Sequence, residues 1–524
     1  MANKSVFASL MGRLLPRSDA VNHEGAQAYA LTPRHALAQL AATGTLHRTF
    51  YADAREQLDQ VLALAREVEP GFIARTAVYA RERGHMKDMP AMLVALLSTL
   101  PSPDITPAFR RVVDNGRMLR SFVQIMRSGA VGRKSLGTRP KRLVQEWLEQ
   151  ASDIEIMRAA VGQDPSLADV VKMVHPKPAD ASRQALYGWL IGRPYDAAAL
   201  PEVVRAFEAF KRDPSAPVPD VPFQMLTALP LTREHWAAIG EKAGWHMLRM
   251  NLNTFARHGV FEVDGFAERV AARLRDPEAI RRARMFPYQL MAAYAMTGTG
   301  VPAVVREALQ DAMEIAVGNV PALPGRVVVC PDVSGSMGSP VTGYRGGGHK
   351  GGGTTSVRCI DVAALVAAAV LRANRSARVM PFEQGVVEID LNPRDAVMTN
   401  ARKLAAIGGG GTNCSAPVER LVAERAAVDL VVFVSDNQSW VDAAKHPHQG
   451  TGLMQAWAKL KERNPEARLV CIDIQPYATT QAQERPDILN VGGFSDAVFD
   501  AIAAFAADGT GADRWVDEIE RIVL

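Results

Sequence analysis

The feature that most constrains the fold is a short apolar run that ends in oxygen-bearing side chains. Residues 326–330, Arg-Val-Val-Val-Cys, follow Pro324-Gly325 and predict a buried strand because β-branched residues dominate the run. Asp332, Ser334 and Ser336 come directly after it, and their alternation allows one carboxylate and two hydroxyls to point the same way. Alone this Asp-x-Ser-x-Ser pattern is weak, since turns and helix caps use the same residues.

Two later stretches carry matching oxygen atoms. The glycine-rich segment 408–413 contributes Thr412, and the apolar run 428–434 leads into Asp436. Loops that follow parallel strands meet beyond the carboxyl ends of an open α/β sheet. Carboxylate and hydroxyl oxygens are hard ligands that suit Mg²⁺ or a similar divalent cation. The order Asp332, Ser334, Ser336, Thr412, Asp436 resembles the metal-ion-dependent adhesion site of a von Willebrand factor A (vWA) domain.

Strands and helices alternate through residues 323–524, which predicts a doubly wound parallel α/β domain there. The predicted strands are 326–330, 377–381, 386–390, 428–434 and 468–474. The predicted helices are 360–373, 417–426, 453–463, 495–506 and 515–524.

Residues 29–322 have a different pattern, with short helices of apolar spacing three and four separated by Pro or Gly. Residues 107–127 and 245–256 are each predicted as one helix of this series. Consecutive helices that each expose an apolar face predict an α-solenoid of HEAT-like repeats. Residues 1–28 are polar and irregular, and we predict a flexible N-terminal arm.

The basic residues are concentrated in the first part of the chain. The net charge is +4, but residues 1–325 hold 40 Lys and Arg against 33 Asp and Glu, and the remainder holds 20 against 23. Within residues 105–142 the only acid is Asp114. The candidate phosphate-binding residues of this window are Arg110, Arg117, Arg120, Arg127, Arg133, Lys134, Arg139, Lys141 and Arg142.

A phosphate-bearing partner is the interpretation that this window favours. A solvated helix face is the ordinary alternative, but such faces usually mix charges of both signs. The guanidinium fork matches phosphate oxygens, so the arginine content favours RNA contacts. Lys172, His175 and Lys177 form a second candidate group, although a single His before a Pro is more often structural.

Several stretches resemble the TROVE module of the Ro family of RNA-binding proteins. The most telling are Lys172 to Lys177, Lys-Met-Val-His-Pro-Lys, and residues 248–252, Leu-Arg-Met-Asn-Leu; residues 44–52 and 284–290 add weaker similarity. A vWA domain directly after a long helical module is also the Ro arrangement, and residues 436–440 resemble that family's third metal loop. The resemblance extends over nearly the whole chain and is strongest to bacterial members.

The resemblance implies a ring of HEAT repeats closed by the vWA domain. It implies a non-catalytic scaffold that binds small noncoding Y-like RNA and the 3′ single-stranded ends of misfolded RNA in RNA quality control or processing. Lys172, His175 and Lys177 would contact RNA, and a nuclease or other RNA-processing protein would be a partner. The glycine-rich insertion at residues 338–355 is longer than the family leads us to expect, which puts access to the metal in doubt.

Two other functions stay open from the sequence. A metal-dependent protein adaptor would use the vWA domain to capture a partner's carboxylate. A metal-dependent nuclease is less favoured, because the ligand set holds only two carboxylates and the one pair of nearby histidines, His446 and His448, lies in a polar loop. We expect no membrane span, because no apolar run reaches about 18–20 residues. Neither DNA binding nor a secretory signal is expected, and four dispersed cysteines favour free thiols in the cytoplasm.

Overall fold

The computed structural model describes residues 17–43, 53–283, 287–318, 320–341, 357–442, 450–493, 496–508 and 514–524. The chain separates into two compact units. The first comprises Met1–Glu67, Arg273–Met296 and Arg306–Arg521, and the second comprises Val68–Ala272, Thr297–Val305 and Ile522–Leu524. The units therefore differ from a simple division at residue 322, because the first of them also draws on the N-terminal part of the chain.

The first unit contains a five-stranded parallel sheet in the order β4-β3-β5-β6-β8. Its strands are β3 (Val327–Pro331), β4 (Arg378–Val379), β5 (Leu430–Ser435), β6 (Arg468–Asp473) and β8 (Ile488–Gly492). Every residue of β3, β5 and β8 is buried, as expected for strands covered on both faces. The predicted doubly wound parallel sheet is confirmed, and β8 is a strand that the sequence reading had not marked.

Helices accompany this sheet in the same unit. They are α1 (Pro33–Thr43), α2 (Ala54–Arg66), α17 (Pro277–Ala283), α18 (Pro287–Met296), α19 (Ala303–Val317), α20 (Cys359–Ala373), α21 (Val397–Ala405), α22 (Ala416–Ala423), α23 (Gly452–Arg463), α24 (Asp496–Asp508) and α25 (Arg514–Glu520). Twelve of the fifteen residues of α20 are buried, which places its alanine- and valine-rich sequence in the core. The four cysteines are buried and free, as predicted.

A small antiparallel sheet replaces part of the predicted N-terminal arm. Strands β1 (Ala20–Val21), β2 (Gln27–Ala30) and β7 (Thr479–Thr480) pair in the order β1-β2-β7. Tyr29 pairs with Thr480, and the Tyr29 side chain is buried in the same hydrophobic cluster as β5. The expectation of a flexible arm at residues 1–28 is therefore wrong for residues 20–28, and residues 1–16 lie outside the described residues.

The second unit is helical throughout its described secondary structure. Its helices are α3 (Pro70–Glu82), α4 (Asp88–Leu97), α5 (Ile105–Val112), α6 (Gly116–Ser128), α7 (Thr138–Gln150), α8 (Asp153–Ala159), α9 (Leu167–Val174), α10 (Ala181–Ile191), α11 (Glu202–Arg212), α12 (Phe223–Leu226), α13 (Arg233–Lys242), α14 (Trp245–Met250), α15 (Leu252–Arg257) and α16 (Phe266–Leu274), the last of which continues into the first unit. Several begin at a side-chain cap, as at Ser152 and Ser166.

Three predicted elements are corrected. The helix expected over residues 107–127 is two helices, α5 and α6, because the Asn115 side chain accepts hydrogen bonds from the Arg117 and Met118 amides and starts a new helix. The helix expected over residues 245–256 is likewise interrupted, at Asn251. Residues 386–390 form no strand and contribute only a bridge between Phe382 and Val386. None of the helices in the described ranges is long and apolar enough to cross a membrane.

Candidate metal site and basic cleft

The ends of β3 and β5 bring the first and third predicted metal loops together. The Asp332 amide donates to the Val434 carbonyl oxygen across 2.9 Å, which continues the ladder between the two strands. The second loop joins them through a bond of 3.1 Å from the Gly335 amide to the Gly410 carbonyl oxygen. Backbone hydrogen bonds therefore hold all three loops at one edge of the sheet, as the sequence predicted.

The predicted hydroxyl ligands meet within this edge. Thr412 Oγ1 donates to Ser334 Oγ at 2.9 Å, and Ser334 Oγ lies 3.4 Å from Ser336 Oγ. The Ser336 side chain also interacts with the carboxyl of Asp436 and opposes the rise in its pKa. All five predicted ligands, Asp332 included, are buried, none more than 7% exposed. The five residues form one contiguous cluster of oxygen atoms.

The two carboxyls of the cluster differ in their hydrogen bonding. Asp332 Oδ1 accepts from the Ser334 amide at 2.8 Å, and Asp332 Oδ2 accepts from Ser435 Oγ at 2.6 Å. In Asp436, Oδ1 accepts a long 3.3 Å bond from the Gln438 amide, while the buried Oδ2 has no hydrogen-bond partner among the described residues. Burial, and then the charge of Asp332, raise the pKa of Asp436 to about 7. Burial also raises the pKa of Asp332.

This donor set fits a hard divalent cation. Two buried carboxyls would repel each other if both were ionised, and a cation between them offsets that repulsion and supplies a partner for the bare Asp436 oxygen. Two carboxylates and three hydroxyls leave positions for water or a ligand, which is how proteins usually hold Mg²⁺. Within the described residues no cluster of three or more His, Cys, Asp or Glu side chains is arranged to hold a metal, so hydroxyl donors are essential to this candidate site.

Sequence reasoning missed two polar residues beside the cluster, Ser435 and Asp473. Ser435 ends β5 and holds Asp332, whereas Asp473 ends β6 and pairs in register with Ser435. Asp473 is buried with Oδ1 unpartnered among the described residues, and burial followed by the charge of Asp436 raises its pKa well above the usual range. Both residues end apolar strands, so the rule that singled out Asp436 could have found them.

The rim of the site depends on glycine and on an aromatic side chain. A Cβ on Gly411 would lie 2.5 Å from the Trp440 ring, and one on Gly410, which has a φ of +60°, would lie 2.5 Å from Glu383 Oε2. Trp440 is 44% exposed, which is unusual for so large an apolar side chain. The third loop is also held from the N-terminal ribbon, since Asn22 Nδ2 donates to the Ser439 carbonyl oxygen at 2.6 Å.

The insertion predicted at residues 338–355 lies mostly outside the described residues, which end at Val341 and resume at Val357. Its two ends are joined, because the Val341 amide donates to the Val357 carbonyl oxygen at 3.0 Å. Pro340 and Arg358 form an antiparallel bridge beside this bond. His446 and His448 also lie outside the described residues.

The second unit holds an open cleft of about 940 Å³, lined by the end of α6, the loop before α7 and the exposed side of α7. Four of the predicted phosphate-binding residues line it: Arg127, Lys134, Lys141 and Arg142. Two acids, Glu146 and Glu149, lie on the same wall. The cleft therefore carries a net positive charge of two.

The remaining predicted residues differ in how far they are already engaged. Arg110 and Arg142 both pair with Glu146, at 3.4 and 3.2 Å. Arg139 donates to the Ser102 carbonyl oxygen at 2.7 Å. Arg120 is half-buried and donates to the Val161 and Gln163 carbonyl oxygens, so it helps to hold that turn in place.

Arg117 and Arg133 are exposed, and neither forms an ion pair with an acid in the described ranges. The break between α5 and α6 means that Arg110 and Arg117 do not lie on one continuous helix face. These assignments to RNA stay predictions.

The segment from Lys172 to Lys177 borders the same cleft. Met173, on α9, lines the cleft, and Gln145 Nε2 donates to the Val174 carbonyl oxygen at 2.6 Å. His175 ends α9 with a left-handed φ of +53°, and its side chain, like those of Lys172 and Lys177, is exposed. The structure thus brings the two predicted basic groups to one surface.

A parallel-sheet domain that carries five clustered oxygen-bearing side chains, accompanied by a helical unit, has the features of a vWA domain with a helical companion module. Residues 326–506 match the family described as the Ro60 vWA domain. The chain is 28% identical over 523 residues to the RNA-binding protein RO60 of Deinococcus radiodurans, covering 93% of this chain and 94% of that protein. It is homologous to that Ro protein over nearly its whole length.

A solved structure supports the same fold. The crystal structure of the Deinococcus radiodurans RO (RSR) protein matches with a TM-score of 0.62 and 24% identity, over 91% of this chain and all of that one. The resemblance to Ro proteins that the sequence indicated is confirmed.

Proposed function

We propose that this protein is a non-catalytic RNA-binding scaffold. The observation that carries the proposal is the basic cleft, where residues from two separate sequence segments line one open surface. The Deinococcus relative is named as an RNA-binding protein, which is consistent with this assignment. Phosphate contacts would supply most of the affinity, and the shape of the cleft would select the RNA.

The finer proposal is that the RNAs are small Y-like noncoding RNAs and the 3′ single-stranded ends of misfolded RNA, in cytoplasmic quality control or processing. We propose further that the helices form HEAT-like repeats closed into a ring. Support for these points comes from the family resemblance. Electron microscopy of the purified protein tests the ring, and sequencing of RNA that co-purifies with it tests the RNA class.

The proposed divalent cation, most simply Mg²⁺, would be held by Asp332, Ser334, Ser336, Thr412 and Asp436. When bound it supplies an open coordination position for an acidic group. The protein's own residues do the positioning: Ser435 and the Ser334 amide hold Asp332, and Thr412 orients the Ser334 hydroxyl. Buried loops keep bulk water from the carboxyls.

A second function, metal-dependent capture of a partner's carboxylate, is favoured by one specific observation. The exposed Trp440 stands beside the second loop of the oxygen cluster and would pack against apolar side chains next to such a carboxylate. The two functions are compatible, because the scaffold could recruit an RNA-processing protein, such as a nuclease, through this surface.

The RNA proposal is tested by gel shift with two RNAs, a stem with a 3′ single-stranded tail and a blunt stem, over a series of salt concentrations. If about five phosphates are neutralised, the log–log salt slope for the tailed RNA is roughly −3.5. The variant Lys172→Ala/His175→Ala/Lys177→Ala should weaken binding and flatten that slope. A matched control, Lys211→Ala/Arg233→Ala/Arg269→Ala, removes three cations of the same unit that already pair with acids.

The control should bind like the wild type. Equal binding of both RNAs by all three proteins would mean that the cleft attracts polyanions in general and does not recognise the single-stranded tail. An absence of RNA binding by the wild type would refute the RNA scaffold and favour the second function, metal-dependent capture of a partner's carboxylate.

A further inference from the structure

Three side chains of the first unit converge on one exposed point that the metal site and the basic cleft do not use. Arg306 lies on α19, Arg402 on α21 and Tyr294 on α18. The Arg306 Cζ atom lies 5.7 Å from the centroid of the Tyr294 ring, and the Arg402 Cζ atom lies 5.5 Å from it. Two guanidinium groups therefore share one aromatic ring.

The helices that carry the two arginines are fixed to each other. Glu314 Oε1, on α19, accepts a 2.7 Å hydrogen bond from the Val397 amide at the start of α21. Arg306, Gln310 and Glu314 are spaced by four, so they lie along one face of α19. Glu314 meets the beginning of α21 and Arg306 meets its later part, so the two helices run antiparallel and hold the arginines at one end of the pair.

The phenol belongs to the same cluster. Tyr294 bonds through its hydroxyl to the side chains of Arg402, Gln310 and Arg306, and these bonds, the one from Arg402 above all, lower the pKa of the phenol. The hydroxyl oxygen thus lies in a positive environment.

Three of the carboxylates near these helices are engaged with other cations. Asp311 pairs with Arg275, Glu314 with Arg372 and Asp395 with Lys403. Among the ion pairs of the described residues, none includes Arg306 or Arg402. Both arginines are exposed and Tyr294 is half-buried, so the cluster is open to solvent.

We propose that Arg306, Arg402 and Tyr294 form a phosphate-binding site. Two guanidinium groups that share one tyrosine repel each other, and an anion beside them would offset that repulsion. Their forks match phosphate oxygens with paired donors. The Gln310 amide, beside the phenol hydroxyl, offers a further donor. The phosphate is either a diester of an RNA strand or a free phosphate group.

The structural alternative is that the arginines only clamp the tyrosine and so join three helices. Stacked Arg–Tyr contacts do contribute to stability, even when they are exposed. A clamp would change thermal stability when removed but would leave binding of anions unaffected, so the two roles separate by experiment.

The test compares the wild type with Arg306→Ala/Arg402→Ala and with a matched control, Arg275→Ala/Arg281→Ala. The control also removes two exposed arginines of the first unit, but both are already paired, with Asp311 and Glu278. Melting temperatures are measured with and without inorganic phosphate at constant ionic strength. Binding of a single-stranded RNA of about 40 nucleotides is measured over a salt series.

The site for a phosphodiester predicts that the double variant binds RNA about tenfold to a hundredfold more weakly, the range that charged hydrogen bonds cover. Its salt slope should be flatter by about 0.7 for one lost phosphate contact. The site for a free phosphate predicts that inorganic phosphate raises the melting temperature of the wild type and of the control, but not of the double variant.

The RNA-binding measurement rests on the proposed function, and the measurement with inorganic phosphate does not. If the wild type binds no RNA, the proposed function fails, and the melting temperatures with inorganic phosphate alone test whether this site binds phosphate. Identical responses of all three proteins to phosphate and to RNA would refute the phosphate-binding site, and the structural role of the arginines in holding the tyrosine would remain.

Discussion

Replacement of Asp436 by Asn should make the metal-free protein more stable at pH 8, although it removes a candidate ligand. Asp436 is buried beside Asp332, and one of its oxygens has no hydrogen-bond partner in the described residues. Its pKa of about 7 lies well above the ordinary value of 3.8. A carboxyl with a raised pKa is held protonated by the fold, so its effect on the free energy of unfolding is opposite in sign to that of a salt-bridged acid.

The magnitude follows from the shift. Between pH 3.8 and about 7 the folded state binds more protons than the unfolded chain, so stability falls as the pH rises through this window. A shift of about three units corresponds to at most about 4 kcal/mol, since each unit is about 1.4 kcal/mol. Relaxation of the loops and entry of water reduce this, and a gain of about 1–3 kcal/mol is expected for Asp436→Asn at pH 8 in EDTA.

The assay is thermal and urea unfolding at pH 5 and pH 8, in EDTA and in excess Mg²⁺. The wild type in EDTA should be less stable at pH 8 than at pH 5, and Mg²⁺ at about 100 times its dissociation constant should restore about 2.7 kcal/mol at pH 8. The Asn variant should lose less stability than the wild type between pH 5 and pH 8, because residue 436 no longer titrates while Asp332 and Asp473 keep carboxyls with a raised pKa, and it should not respond to Mg²⁺. Asp390→Asn, an exposed carboxylate of the same unit, is the control and should behave like the wild type.

The reasoning would be refuted if the Asn variant in EDTA were less stable than the wild type at pH 8. It would equally be refuted if the wild type showed neither the fall in stability with pH nor the rescue by Mg²⁺. Either result would show that a bound cation does not stabilise the buried carboxyl pair.

Three further predictions concern other parts of the fold. Gly411→Ala should destabilise the first unit by about 1–3 kcal/mol and weaken the response to Mg²⁺, because the new methyl meets the Trp440 ring; a urea midpoint that does not move would contradict this. Asn115→Ala should lower the stability of the helical unit by about 1 kcal/mol through loss of the cap of α6, and Asn115→Asp should retain most of it in the same measurement. Hydrogen bonds from Arg378 and then Arg420 lower the pKa of Glu424 to about 2, so its contribution to the free energy of unfolding is present above pH 4.5 and is lost as the pH falls through about 2. Because solvent screens this group near the surface, Glu424→Gln should lower the free energy of unfolding by less than about 1 kcal/mol at pH 7. A larger loss in an acid titration of unfolding would contradict that screening.

Local sequence patterns were sufficient for the strands and loops of the candidate metal site. A fully buried parallel strand is a continuous apolar run, so β3, β5 and β6 were evident, and the polar residues that follow β3 and β5 marked the site edge. Asp332, Ser334, Ser336, Thr412 and Asp436 do come together. Asp473 was missed because it was taken as part of the predicted strand at residues 468–474. Ser435 was missed because only the carboxylate that follows it, Asp436, was considered as a ligand.

The errors arose where short-range chemistry competes with periodicity. The apolar spacing of residues 107–127 runs on through the sequence Asp114-Asn115-Gly116, so the pattern alone predicted one helix. The cap at Asn115 is worth about 1 kcal/mol, enough to start a second helix there. The ribbon formed by β1 and β2 could not be predicted locally, because its partner strand β7 is short and distant in sequence.

That distance has a consequence for how the protein is made. Tyr29 leaves the ribosome some 450 residues before Thr480, its partner in the ribbon. At a synthesis rate of about 5–20 residues per second, β2 stays without its strand partner for roughly 20–90 s. The third loop likewise lacks its bond from Asn22 in any fragment that begins at residue 323. Studies of metal binding by the vWA domain therefore need the ribbon of β1 and β2 supplied with it, because Asn22 holds the third loop and Tyr29 pairs with Thr480.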